Sequence, residues 1–230
     1  MNRREAITAI TAVAAAPLIL AAAPGGAPAA PPAVAALEPK PLPFDVKKLR
    51  GLSDKLIASH HDNNYTSAVK NLVKVRAEIA ATTKDTPGFV ISALRDRELN
   101  FTGSMVLHEL YFANLGGDGK PAGSIVKALA SDWEERLRAT ANALGGGSGW
   151  ATVEMSMHTG ELGVFSAANH TQSPAAAMPL LVIDMYEHAY AIDFGAAAGK
   201  YVDAVFANLN WEEVERRYQR ALKARAALTG

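Results

Sequence analysis

Cysteine is absent from this 230-residue chain. Its absence excludes disulfides, thiolate metal sites and cysteine nucleophiles, so the core, a metal or subunit contacts must hold the fold. A surplus of charge is missing too. Lys+Arg and Asp+Glu number 23 each, and no net field argues for nucleic acid or a membrane surface as a partner. Several catalytic patterns are also wanting. His108-Glu109-Leu110-Tyr111-Phe112 begins like a zinc-protease helix, but Phe112 stands where the second histidine is required. The Glu-x-x-His pairs of carboxylate-bridged di-iron bundles do not occur. The glycine run 145–149 has no following Lys-Ser/Thr for a phosphate loop, and no Gly-x-Ser-x-Gly elbow is found.

What is present begins with an address. Asn2-Arg3-Arg4-Glu5 precedes an uncharged Ala/Ile/Leu-rich run, Ala6–Ala23, and then small-residue sites such as Ala21-Ala22-Ala23 and Ala27-Pro28-Ala29. This layout predicts a twin-arginine-type export signal over residues 1–30 and a periplasmic or extracellular destination. The run is short for a membrane span and contains Pro17, so no stable membrane insertion is expected. An Ala/Pro-rich stretch follows and reads as a disordered linker over 31–41.

The remainder has the size of one domain or two small lobes. Leu52, Leu56, Val69, Leu72, Val73 and Ile79 carry helical spacing to about residue 81. A second helix is predicted over 90–115, with Leu94, Phe101, Met105, His108 and Phe112 on one stripe, ended by Gly116-Gly117-Asp118-Gly119. A third is predicted over 121–144. The period then shortens, and 150–157, 162–167 and 180–185 read as strands, with Glu161 at a hairpin turn. Helical spacing returns over 201–206 and 211–226. The fold class expected is α+β: an N-terminal helical hairpin over 42–118, then an α/β lobe over 119–228 with a small three-stranded antiparallel sheet.

Chemistry concentrates in Asp184-Met185-Tyr186-Glu187-His188. A lone histidine on an apolar face is usually a hydrogen-bonded core group. A carboxylate closing an apolar strand is costly to bury unless a cation or donor meets it. With His60 and His108, Asp184 and His188 make three imidazoles and one carboxylate, a set that suits a redox-active first-row metal if the four converge.

Asp184-Met185-Tyr186-Glu187-His188-Ala189-Tyr190 resembles the Asp-x-Trp-Glu-His-Ala-Tyr signature of the iron/manganese superoxide dismutases. The likeness is collinear from Leu42-Pro43-Phe44 to about Tyr218. It includes Ser59-His60-His61, Asn71-Leu72, Gly147-Ser148-Gly149-Trp150 and Leu209-Asn210-Trp211-Glu212. The resemblance implies a superoxide dismutase with His60, His108, Asp184 and His188 as ligands to one iron or manganese ion per subunit. Superoxide would be converted to dioxygen and peroxide. His170 falls where the family places a solvent-binding amide, and Trp150 and Tyr111 would shield the site. Glu187 would reach the partner's ligand histidine in a homodimer. Val182 and His170 incline the reading to iron.

The chain departs from the family around the metal. The gateway tyrosine falls at Ala68, a neighbouring histidine at Asn64, and the tyrosine that crosses the dimer at Ala191; Ala198-Gly199-Lys200 replaces the Arg-Pro before Tyr201. Either the proton relay is rebuilt from Tyr65, His61 and Asn64, or proton delivery is poor. A slow dismutase, or a metal-binding redox protein with another task on the same scaffold, is the alternative this leaves.

Overall fold

A computed structural model describes residues 37–229, so the export signal read at 1–30 and the first part of the linker lie outside the described residues. The described part of that linker is pinned rather than loose. Lys40 sits against the first helical layer, where its backbone N–H and carbonyl are both hydrogen-bonded.

The chain enters through a short 3-10 turn, Val46–Lys48. Helix α1 (Asp54–Ser59) is started by Ser53, whose hydroxyl accepts the Leu56 N–H at 3.0 Å. The continuous helix expected to residue 81 is interrupted. His60–Tyr65 winds as a π-helix, and α-helical winding resumes in α2 (Thr66–Ala80). The apolar positions used in the sequence reading lie on either side of His60–Tyr65, so their spacing does not record the inserted residue. Helix α3 (Gly88–Ala113) returns antiparallel-fashion against α2 and completes the hairpin.

The predicted helix over 121–144 is two pieces, α4 (Ser124–Ala128) and α5 (Trp133–Ala143). Between them Leu129 is extended, and Asp132 opens the second piece with its carboxylate on Arg136. The three strands fall on the short apolar segments read as strands, with β3 beginning earlier than expected: β1 (Trp150–Ser156), β2 (Leu162–Ala167) and β3 (Ala177–Asp184). The sheet is antiparallel in the order β2-β1-β3, and Glu161 lies in the turn before β2. A register shift between Val153 and Glu154 falls opposite Pro179, which has no N–H to give to a ladder. After β3 come a 3-10 turn (Glu187–Ala189), α6 (Ala191–Phe194), α7 (Ala198–Ala207) and α8 (Trp211–Thr229).

The core is continuous from hairpin to sheet. Leu56, Val69, Phe112, Trp150, Leu181, Ile183 and Val205 are all buried in one cluster. A polar bolt crosses it. Buried Asn114 donates to the Val182 carbonyl at 2.7 Å and accepts from Arg217 at 2.7 Å, and Arg217 also donates to the Leu110 and Leu180 carbonyls. The end of α3, strand β3 and α8 are thus fixed to one another, which sets where β3 delivers Asp184. No helix among the described residues is long and apolar enough to cross a membrane.

Candidate metal centre

Four elements deliver the four side chains. His60 opens the π-helix, His108 lies on the buried stripe of α3, Asp184 ends β3, and His188 lies in the 3-10 turn that follows. Their potential ligand atoms all lie within 4.8 Å of one another. Asp184 Oδ2 is the hub: His60 Nε2 is 3.0 Å from it, and His108 Nε2 and His188 Nε2 are 3.4 Å from it. His60, His108 and Asp184 are buried, and His188 is partly exposed.

Electrostatics set the protonation states that ligation needs. Burial alone would raise Asp184, but the His188 and His60 side chains beside it, with the surrounding imidazoles, hold it well below the usual carboxylate range. Burial lowers His60, and lowers His108 to about 3. A carboxylate among neutral imidazoles is the donor set a divalent or trivalent cation requires. Orientation agrees. His108 donates from Nδ1 to the Ser104 carbonyl at 2.7 Å, which leaves the Nε2 lone pair for the centre. His108 Nε2 and His188 Nε2 are buried without a hydrogen-bond partner. Unpaired buried nitrogens cost about 1–3 kcal/mol each, and a cation among them would remove that cost. The residues fit one iron or manganese ion.

The surrounding shell is aromatic. Trp150 stands edge-on to His108 with ring centroids 5.2 Å apart. Tyr111 lies 5.1 Å from the His60 ring and is fully buried. The Tyr201 hydroxyl bonds to the Tyr111 hydroxyl at 3.1 Å and to the Asp184 carbonyl at 2.7 Å. His170 also comes to the centre. Its ring stacks on Tyr186 at 4.8 Å and lies 6.1 Å from that of His108. Trp150 Nε1–H donates to His170 Nδ1 at 3.0 Å, so the proton of the neutral ring sits on Nε2. Burial lowers His170.

The chain that builds this centre is similar to a known group. The pattern described as "Iron/manganese superoxide dismutases, C-terminal domain" matches residues 123–217. A superoxide dismutase [Fe] of Cupriavidus metallidurans is 41% identical over 193 residues, covering 81% of this chain and 98% of that protein. The chain belongs to the iron/manganese superoxide dismutases. A superoxide dismutase [Fe] of Aquifex pyrophilus is 32% identical, covering 84% and 95%, and a superoxide dismutase [Mn] of Haloferax volcanii is 29% identical, covering 80% and 96%.

The three residues from which a relay could be rebuilt line two different cavities. A cavity of about 220 Å3 opens onto His108, His170 and His188, and Asn63, Asn64, Asn71, Asn100 and Ala68 line it. Asn64 is there, but Tyr65 and His61 line a different cavity. The buried Tyr65 hydroxyl donates to Glu109 at 3.1 Å and accepts from Lys40 N–H at 2.8 Å. Burial, aided by the charge of Glu109, pushes Tyr65 up to about 12. The Tyr65 hydroxyl is thus engaged by Lys40 and Glu109. The Glu187 side chain is exposed and makes no hydrogen bond or ion pair among the described residues.

Two residues that place this centre escaped the sequence reading. A Cβ on Gly103 would lie 1.8 Å from the His170 carbonyl oxygen, so only glycine lets the loop bearing His170 cross α3 here. A glycine inside an otherwise strong helix was the available signal. Ser104, one turn before His108, supplies the carbonyl that orients it. That bond is made by backbone and left no trace in residue type.

Proposed function

We propose that this dismutase is an exported homodimer that holds one metal ion, iron in preference to manganese, on His60, His108, Asp184 and His188. The observation that carries the site is the grouping of three imidazole Nε2 atoms around one buried carboxylate oxygen. Iron or manganese held there would supply one-electron chemistry between +2 and +3, the chemistry that dismutation of superoxide to dioxygen and peroxide requires. The chain's residues do the rest. Asp184 and the neutral imidazoles set the charge, and Trp150, Tyr111 and Tyr186 exclude bulk water from one side. Among the described residues, His108, His170 and His188 are the only titratable groups lining this cavity. His170, with its proton held on Nε2 by Trp150, takes the place of the missing relay groups at Asn64 and Ala68.

The weak preference for iron rests on Val182 and His170 and is supported by the iron relatives. The homodimer rests on Glu187, exposed beside His188, whose side chain has no partner among the described residues. Export rests on the paired arginines, the apolar run and the Ala/Pro-rich stretch.

Superoxide decay should be followed on the purified mature protein by pulse radiolysis, with metal content measured on the same sample and His188→Ala as control. Decay proportional to iron and lost in the variant is expected. Stoichiometric metal with no decay beyond the metal-free protein would overturn the reading. Light scattering should give twice the chain mass, and Arg3→Lys with Arg4→Lys should hold the protein in the cytoplasm. A monomer, or unimpaired export, would sink the respective claim.

A further inference from the structure

The π-helix that carries His60 is an energetically poor piece of backbone. Its wider turn makes weaker hydrogen bonds than the α-helices on either side, and such turns persist where neighbouring contacts fix them. Its neighbour in this structure is Lys40, 20 residues upstream of His60. Both backbone groups of Lys40 are engaged by the π-helix. The Lys40 N–H donates to the Tyr65 hydroxyl at 2.8 Å, and the Lys40 carbonyl accepts from His61 Nε2 at 2.8 Å. The loop closes on α3: the Tyr65 hydroxyl donates to Glu109 at 3.1 Å, and the Lys40 ammonium pairs with the same carboxylate.

These partners are the sequence neighbours of the candidate ligands. His61 follows His60, and Glu109 follows His108. The Tyr65 ring is itself 6.4 Å from that of His108, and Phe112 packs against both clasp and ligands. The Phe112 ring is 5.6 Å from His61 and 6.1 Å from Tyr65 on one side, and 5.0 Å from His60 and 6.3 Å from His108 on the other. A shift of the π-helix against α3 at the clasp therefore moves His60 against His108 through Phe112.

We propose that Lys40, Tyr65 and Glu109 form a clasp that holds the π-helix against α3, so that the segment just before the folded domain is a positioning element for metal retention. The clasp is made by the backbone of Lys40, and its ammonium is secondary. This inference rests on the reading that His60 and His108 ligate a metal, and it concerns how tightly that metal is kept.

The test uses the full chain loaded with iron. Lys40→Pro deletes the N–H that reaches Tyr65, Tyr65→Phe deletes the hydroxyl and keeps the ring, and Lys40→Ala keeps both backbone groups. Iron loss to a strong chelator, and the electron paramagnetic resonance spectrum of the ferric form, are measured on each. One hydrogen bond of ordinary net worth corresponds to about three- to tenfold in rate. Lys40→Pro and Tyr65→Phe should each release iron faster by that factor and change the ferric spectrum. The double variant should be little worse than either, since both cut the same link. Lys40→Ala should behave like the parent. Parent-like release and spectra in both Lys40→Pro and Tyr65→Phe would overturn the proposal. So would a Lys40→Ala effect as large as that of Lys40→Pro. Failure of the metal-site reading is separately visible, because the parent itself would then not retain iron.

Discussion

Single atoms decide the chemistry at the centre. The indole N–H of Trp150 chooses which nitrogen of His170 is protonated. Trp150→Phe keeps an aromatic wall and removes that choice. Loss of such an orienting bond costs roughly ten- to hundredfold. The expected outcome is slower superoxide decay at unchanged metal content, with an altered pH profile; an unaltered profile and rate would show that His170 needs no such control. Protonation also sets metal-free stability. Burial lowers His60, and lowers His108 to about 3 against an ordinary 6.5. A histidine with a depressed native pKa gives stability that is fully present above its unfolded value and is lost as pH falls toward the native one. Metal-free protein should therefore weaken steadily as pH drops below about 6.5 and onward toward 3. Asp184, also depressed, adds its own loss at lower pH still. Urea midpoints at pH 7.5 and pH 5 check this; equal midpoints would contradict it.

Elements place those atoms, and here legibility was uneven. The strands were readable because β1 and the end of β3 are short, almost continuously buried apolar or β-branched runs, and β2 has the turn at Glu161 before it. The π-helix was not, because His60-His61-Asp62-Asn63-Asn64-Tyr65 has no apolar register to lose. The break before α5 did leave a signal in Ser131-Asp132, where Asp132 precedes the helix and pairs with Arg136. The ligands were found by their residue types and by family likeness. Asn114 and Arg217 were missed because a buried polar bolt looks in sequence like ordinary surface polarity. Gly103 is the element-scale test. Alanine favours a helix over glycine by about 1 kcal/mol, yet a Cβ here meets the His170 carbonyl. Gly103→Ala should leave helix content unchanged, displace His170, and change the ferric spectrum and the decay rate together. A variant with parent spectrum and rate would show that the close approach is dispensable.

At the scale of the molecule, the α+β fold and family were legible, while the separation into lobes at residue 118 describes chain order more than packing, since α3 lies directly on β3. The ligand cage also has a consequence for how the chain reaches its native state. His60 meets Asp184 across 124 residues of sequence. Contacts of that separation form late, because the loop between them must be closed before they contribute. The cage is then absent in the rate-limiting species for folding and complete only in the native state. A ligand of the native state alone acts on the unfolding limb. Refolding rates should be the same with and without manganese in solution, while unfolding in denaturant should slow markedly with it. Stopped-flow measurement of both limbs would decide: faster refolding with metal would place the cage early. For such a chain metal is captured by a body already folded, and its loss precedes unfolding.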